Sequence, residues 1–273
     1  MSLINNKYIL CEQIGYGSFG TIYKAKNIRT DENVAIKVEP IKNGSKLLKN
    51  ESTIYQFLNN ITGIPTVKWF GKDDFNYYMV INLLGESLQS LKERMGTLSL
   101  KLTLQVGIQI IFLLRSLHDK GLVHRDVKPD NFLLGLNDRK NQLNIIDFGF
   151  CKTYIHNEKH ITCKKTNNLI GSITYASINS HNCIELTRRD DLESLGYILI
   201  YLYLGNLDWQ TEKSSGFENN SEIIKNMKKK IINNDKVPSI INDYLKNVTT
   251  LEFDEKPNYS IFIDMFKREI DTL

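Results

Sequence analysis

Along its first third the chain reads as short β-rich runs broken by turn residues. Tyr8-Ile9-Leu10, Thr21-Ile22-Tyr23-Lys24-Ala25 and Val34-Ala35-Ile36-Lys37-Val38 gather β-branched and aromatic residues between Gly, Asn and Asp, which predicts an antiparallel meander. Residues 45–59 read as a helix, Pro65 and Gly71 bracket another strand, and Tyr77-Tyr78-Met79-Val80-Ile81 is the last strand before Asn82-Leu83-Leu84-Gly85 leaves the sheet. From residue 99 the spacing lengthens. Leu100, Leu104, Ile108, Ile111 and Leu114, with Ser99 as a cap and Gly121 just past the end, predict a long buried helix over 99–118. Phe132-Leu133-Leu134 and Leu143-Asn144-Ile145-Ile146 predict a short hairpin, and residues 147–180 form a long, mostly polar segment. Thr187 and Asp190 read as a capping box opening a buried helix. Residues 213–220 read as a loop, 221–232 as a basic helix, and two closing helices are expected around Leu245 and Phe262. The fold class is α+β, strands first and helices after.

Composition adds bounds. The 273 residues are 41% hydrophobic and 24% charged, enough for one large domain or two small lobes with an unaided core. A net charge of +4 is mild and falls short of a nucleic-acid footprint. Cys11, Cys151, Cys163 and Cys183 form no zinc spacing and read as free thiols in a reducing compartment. The N-terminus lacks the apolar core of a signal peptide, Ser2 stands where myristoylation needs glycine, and the apolar run over 195–204 is too short to span a bilayer. A cytoplasmic or nuclear protein without membrane insertion follows as the expectation, with a monomer as default.

The chemistry centres on His124-Arg125-Asp126-Val127-Lys128-Pro129-Asp130-Asn131. Within six positions Asp126 can accept the proton of an attacking hydroxyl, Lys128 can neutralise a moving phosphoryl group, and Asn131 can hold a metal ion. Upstream, Gly15-Tyr16-Gly17-Ser18-Phe19-Gly20 lets the backbone fold over phosphates. A β-branched run follows these glycines directly, where a dinucleotide fold would need a helix. The octapeptide resembles the catalytic loop of eukaryotic protein kinases. That resemblance implies ATP under the glycine loop and between two lobes, Lys37 on its α- and β-phosphates, Glu51 as the partner of Lys37, and Asp147 of Asp147-Phe148-Gly149 beside Asn131 as ligands of Mg²⁺. It also implies adenine recognition by the backbone of Asn82 and Leu84, with Ile81 limiting access behind the base and Ile14, Ile22, Ala35 and Leu134 among the ATP-binding residues.

One departure narrows the family. Ser177-Ile178-Asn179 replaces the usual Ala-Pro-Glu, and Arg188-Arg189-Asp190-Asp191-Leu192-Glu193-Ser194-Leu195-Gly196-Tyr197 follows. With Leu83-Leu84-Gly85, Asn131-Phe132-Leu133, Trp209-Gln210 and Phe253-Asp254-Glu255-Lys256-Pro257-Asn258-Tyr259, the chain resembles the casein kinase I family of Ser/Thr protein kinases from about Tyr8 to Phe266. The resemblance implies a bilobal kinase fold, with a single kinase domain over 1–273, an N-lobe to about residue 84 and a C-lobe from 85, acting on Ser/Thr hydroxyls of protein substrates. Asp191 would then brace the catalytic-loop backbone, and Thr153, Thr162, Thr166, Ser172 and Thr174 are candidate phosphosites. Members often favour substrates already phosphorylated near the target. Here Thr174 and Asn167 stand where the family places an Arg and a Lys for that group, leaving Arg125, Lys152, Lys164 and Lys165 nearby, so weakened dependence on a prior phosphate is expected. Lys228-Lys229-Lys230 reads as a solvated helix face or, alternatively, a nuclear signal. The family's restraining C-terminal tail has no counterpart before Leu273, so a kinase needing no release from its own tail is expected. A pseudokinase acting by protein binding is the rival reading; its usual sign, a missing Lys or Asp, is not found.

Overall fold

The computed structural model describes residues 3–17, 20–41, 47–210, 217–232 and 234–273. Ser18 and Phe19 of the expected phosphate loop, Ser45 and Lys46 of the expected first helix and residues 213–216 of the expected loop lie outside them. The chain divides into two compact units, residues 1–86 with 133–149, and residues 87–132 with 150–273.

The first unit is built on the predicted antiparallel sheet. Strands β1 (Tyr8–Gly17), β2 (Gly20–Asn27), β3 (Asn33–Pro40), β4 (Val67–Lys72) and β5 (Asn76–Asn82) lie in the order β1-β2-β3-β5-β4, with α1 (Leu47–Phe57) between β3 and β4 in sequence. Period-two alternation sends Val34 and Ile36 into a core with Tyr8, Ala25, Tyr78 and Val80, while Ala35 and Lys37 face the other side. β1 runs far past Leu10, so the glycine cluster forms strand ends, and Gly17 pairs with Gly20. Gly20 must be glycine because a Cβ there would come within 2.1 Å of the Val38 carbonyl oxygen. Gly71 falls inside β4 instead of ending it. Phe132–Leu134 and Leu143–Ile145 form the expected hairpin, tied back by Ile145 N–H to the Gly63 carbonyl at 2.9 Å.

The second unit is helical: α2 (Leu88–Met95), α3 (Leu100–His118), α4 (Ile178–His181), α5 (Arg188–Leu204), α6 (Phe217–Ile231), α7 (Ser239–Thr249) and α8 (Tyr259–Thr272). Ser99 caps α3 by accepting the Leu102 N–H at 3.2 Å. At 19 residues α3 is long and apolar enough to cross a membrane, yet it packs on α5 and α8 with half its length buried, as a core helix does. α5 is buried almost all round and opens with the predicted box: the Asp190 carboxylate accepts the Thr187 N–H at 2.7 Å. The long polar segment takes part in two small pairings, its Lys152–Thr153 with Leu122–Val123 and its Ile155–His156 with its own Lys159–His160.

Candidate active site

In the first unit the sheet register aligns Gly15, Ile22 and Lys37 as one row across β1, β2 and β3, with Ala35 paired to Ile81 and Val34 to Asn82 beside it. Ala35 is buried, Ile22, Ile81, Asn82, Leu84 and Leu134 are half-buried, and Ile14 is exposed near the end of β1. Lys37 Nζ lies 2.7 Å from Glu51 Oε2, on α1, and 3.0 Å from Asp147 Oδ1. Burial works to lower the Lys37 pKa, but the two carboxylates outweigh it and hold the ammonium above its ordinary value. Glu51 is pushed up by burial, only partly offset by Lys37 and worsened by Asp147. One ammonium against two carboxylates leaves the cluster short of positive charge.

Tyr55, one turn after Glu51 on α1, extends this cluster. Its hydroxyl oxygen accepts the Asp147 N–H at 3.2 Å, and its ring meets Phe148 edge-on at 4.7 Å between centroids. Asp147 is thereby held with φ +65°, a left-handed conformation that a non-glycine residue takes only when its surroundings enforce it. The i, i+4 spacing of Glu51 and Tyr55 is the signal that sequence reading passed over. Past β5, Gly85 N–H donates to the Leu134 carbonyl at 2.8 Å and Leu134 N–H to the Glu86 carbonyl at 2.9 Å. The Asn82 side chain is used structurally, its amide oxygen accepting the Thr66 N–H at 2.9 Å. The Leu84 N–H has no backbone partner among the described residues.

In the second unit the loop after α3 carries Asp126, Lys128 and Asn131, with Asp126 and Asn131 buried. Lys128 Nζ stands 2.8 Å from Asp126 Oδ2, and the Asn131 amide nitrogen donates to the Asp126 carbonyl at 2.9 Å. Asp191, near the start of α5, accepts the backbone N–H of His124 at 2.7 Å and of Arg125 at 2.8 Å, and His118 Nε2 at 2.9 Å. His118 Nδ1 in turn meets the Tyr259 hydroxyl at 2.7 Å. Burial works to raise the Asp191 pKa, but the hydrogen bonds and charge of His118 and His124 prevail and hold it below the ordinary carboxylate value. This carboxylate is what keeps Arg125 at φ +67°.

Two side chains that sequence reading placed elsewhere belong to this unit's site. Ser172, taken as a phosphosite, puts both its N–H (2.8 Å) and its hydroxyl (2.7 Å) on Asp126 Oδ1. It can reach there because Gly171, at φ +87°, passes the Arg125 carbonyl where a Cβ would sit 2.4 Å from the oxygen. Lys228, taken as part of a solvated helix face, is fully buried. The signal lies in its own helix: Ile224, Lys228 and Ile231 stand at i, i+4 and i+7, and all three are buried. Ser177-Ile178-Asn179 is anchored by carboxylates of α5. The Ser177 hydroxyl donates to Asp190 at 2.7 Å, the Asn179 amide to Asp190 at 3.0 Å, and the Ile178 N–H to Glu193 at 2.8 Å. A proline at position 178 would have no N–H to give. Of the expected basic residues, Arg125 (3.6 Å) and Lys152 (2.7 Å) both face buried Glu185.

A sheet lysine fixed by a helix carboxylate, a left-handed Asp beside it, and an Asp-Lys-Asn loop braced from a buried helix are the working parts of a phosphotransferase. The model of the protein kinase domain family matches residues 8–262, and the chain belongs to that family.

Proposed function

We propose that this protein kinase is a Ser/Thr kinase of the casein kinase I type, transferring the γ-phosphoryl group of ATP to protein hydroxyls. The observation that carries the reading is the state of Asp126. One carboxylate oxygen is held by Lys128 and the other by Ser172, so the group is fixed where a hydroxyl proton must go. The oxygen of the acceptor hydroxyl bonds to the γ-phosphorus as the bond from phosphorus to the β-phosphate oxygen breaks, and the hydroxyl proton passes to Asp126. Lys128 steadies the charge of the moving group. Lys37 neutralises the α- and β-phosphates in this reading, which its 2.7 Å contact with Glu51 supports. The donor set suits Mg²⁺: Asp147 belongs to a cluster short of positive charge, and Asn131 presents an amide oxygen, both hard ligands. When bound, the ion screens phosphate charge. The glycine cluster and the Leu84 N–H, which has no backbone partner among the described residues, support the nucleotide reading, and Ser177-Ile178-Asn179 supports the casein kinase I type.

The test is phosphate transfer from ATP and Mg²⁺ to casein and to Ser, Thr and Tyr peptides, with wild type beside Asp126→Asn. Transfer to Ser and Thr alone, lost in the variant, supports the reading. A folded, ATP-binding wild type that transfers nothing would replace it with the scaffold reading.

A further inference from the structure

The Lys228 side chain is fully buried, and burial pulls its ammonium down to about 7 against the opposing charge of Glu193. Its Nζ donates to the carbonyl oxygens of Ala176 (2.6 Å) and Ile173 (2.9 Å) and to His181 Nε2 (3.0 Å), which uses all three of its protons. It also lies 4.9 Å from the centroid of the Tyr197 ring and 5.6 Å from that of Trp209. Accepting at Nε2 fixes the His181 tautomer, and its Nδ1–H donates to the Ser221 hydroxyl at 2.9 Å. The nearest countercharge is Glu193, whose carboxylate is itself held by Ile178 N–H at 2.8 Å and the Tyr197 hydroxyl at 2.7 Å.

What Lys228 holds is the stretch that begins at the catalytic carboxylate. Ser172 is on Asp126, the Ile173 carbonyl is on Lys228, the Thr174 carbonyl accepts Trp209 Nε1–H at 2.8 Å, and the Ala176 carbonyl is again on Lys228. Four of the five residues from Ser172 to Ala176 are therefore anchored, three of them by Lys228 and Trp209 through their carbonyl oxygens. Neither a methionine nor an arginine reproduces this: the first leaves two buried carbonyls and a ring nitrogen unpaired, and the planar fork of the second does not match three convergent acceptors.

We propose that Lys228 is a positioning residue for acceptor-peptide binding, holding residues 173–176 as the platform on which a protein substrate lies beside Asp126. The inference rests on the protein kinase reading above. It separates two readouts, because the hydrogen-bond partners of Lys228 given above all lie within the second unit.

The experiment measures KM for peptide and for ATP, with thermal melting, in wild type, Lys228→Met, Lys228→Met/Glu193→Gln and Trp209→Phe. The double variant removes the carboxylate that the single variant leaves uncompensated, so it regains stability but not peptide binding. Peptide KM should rise about tenfold in both Lys228 variants and by a smaller factor in Trp209→Phe, with ATP KM within about twofold of wild type. Folded Lys228 variants with unchanged peptide KM, or with ATP and peptide KM rising together, overturn the inference. If Lys228→Met does not fold, the double variant and Trp209→Phe decide it by the same criteria. A wild type that phosphorylates no peptide would instead overturn the kinase reading itself.

Discussion

The Ser172 hydroxyl donates to Asp126 Oδ1 at 2.7 Å, and that oxygen also accepts the Ser172 N–H at 2.8 Å. Forty-six residues apart in sequence, the two are joined by a double contact that fixes the rotation of the carboxylate. Ser172→Ala removes one of these bonds and should lower kcat about tenfold with ATP KM unchanged, whereas Ser172→Thr keeps the hydroxyl and most of the rate. Ser172→Asp places a second carboxylate against Asp126 and should abolish transfer, as phosphorylation at this site would. Steady-state kinetics on a Ser peptide checks all three, and an alanine variant as fast as wild type would refute the role.

Asp191 is the brace of the catalytic loop, and its loss leaves two buried backbone N–H groups and His118 without their acceptor. Asp191→Ala should cost about 3 kcal/mol of stability, read from denaturant unfolding, because charge-assisted bonds to buried groups are lost without replacement. Asp191→Asn keeps one acceptor oxygen and should recover part of it. Equal stability of all three proteins would place the brace elsewhere.

How far the sequence revealed this molecule depended on whether a residue's partner was near in the chain. β1 to β3 are legible because apolar alternation and turn residues act over a few positions, and α3 because its period and its Ser99 cap do. α2 offers only Leu88 and Leu91 as buried positions, too short a stripe to declare a helix. The strand pairings within residues 152–160 are two residues each, below any period. In the site, the resemblance to protein kinases pointed to Lys37, Glu51, Asp126 and Asp147, and Lys37 does meet both Glu51 and Asp147. Ser172 and Lys228 were not legible, because their roles are set by contacts 46 to 55 residues away that no local pattern encodes. Three lysines in a row look solvated unless the apolar neighbours at Ile224 and Ile231 are counted with the first of them.

Glu51 shares one ammonium with Asp147, so its charge sets how Lys37 is oriented. Glu51→Gln retains a hydrogen-bond acceptor but frees Lys37 to turn toward Asp147. ATP KM should rise about tenfold while the peptide KM stays near wild type. Nucleotide titration of the folded variant checks it, and unchanged ATP affinity would show that Asp147 alone suffices to hold the lysine.

His181 links stability to acid pH. Burial, and after it the charges of Lys228 and Lys225, push its pKa down to about 3, while backbone bonds at Ile173 and Ser221 oppose them weakly. The unfolded chain therefore binds a proton near pH 6.5 that the folded chain refuses until about pH 3, and stability falls as pH drops through that window. The loss from this group is up to about 1.4 kcal/mol per pH unit, or about 2 kcal/mol by pH 5. His181→Gln can accept from Lys228 and donate to Ser221 without titrating. Wild type should lose that much stability relative to His181→Gln between pH 7.5 and 5, and parallel profiles would show that the ring does not resist its proton.

Two of the four basic residues left for a substrate phosphate, Arg125 and Lys152, are already engaged. Glu185 is buried and takes Lys152 at 2.7 Å and Arg125 at 3.6 Å, and the Arg125 Nε also donates to the Phe150 carbonyl at 2.7 Å. Two cations thus share one internal anion, so this pair offers about one positive charge to an incoming group, and Thr174 and Asn167 add none. A phosphate must compete with a fixed carboxylate for both, so a peptide phosphorylated near its target serine should be used within about threefold of its unphosphorylated twin. Glu185→Gln removes the competitor while keeping the side-chain shape, and should raise the preference for the phosphorylated peptide by about tenfold. Added salt should erase that gain, since screening weakens exposed charge pairs most. A wild type that already prefers the phosphorylated twin strongly would mean that Lys164 or Lys165 supplies the charge without help from the Glu185 cluster.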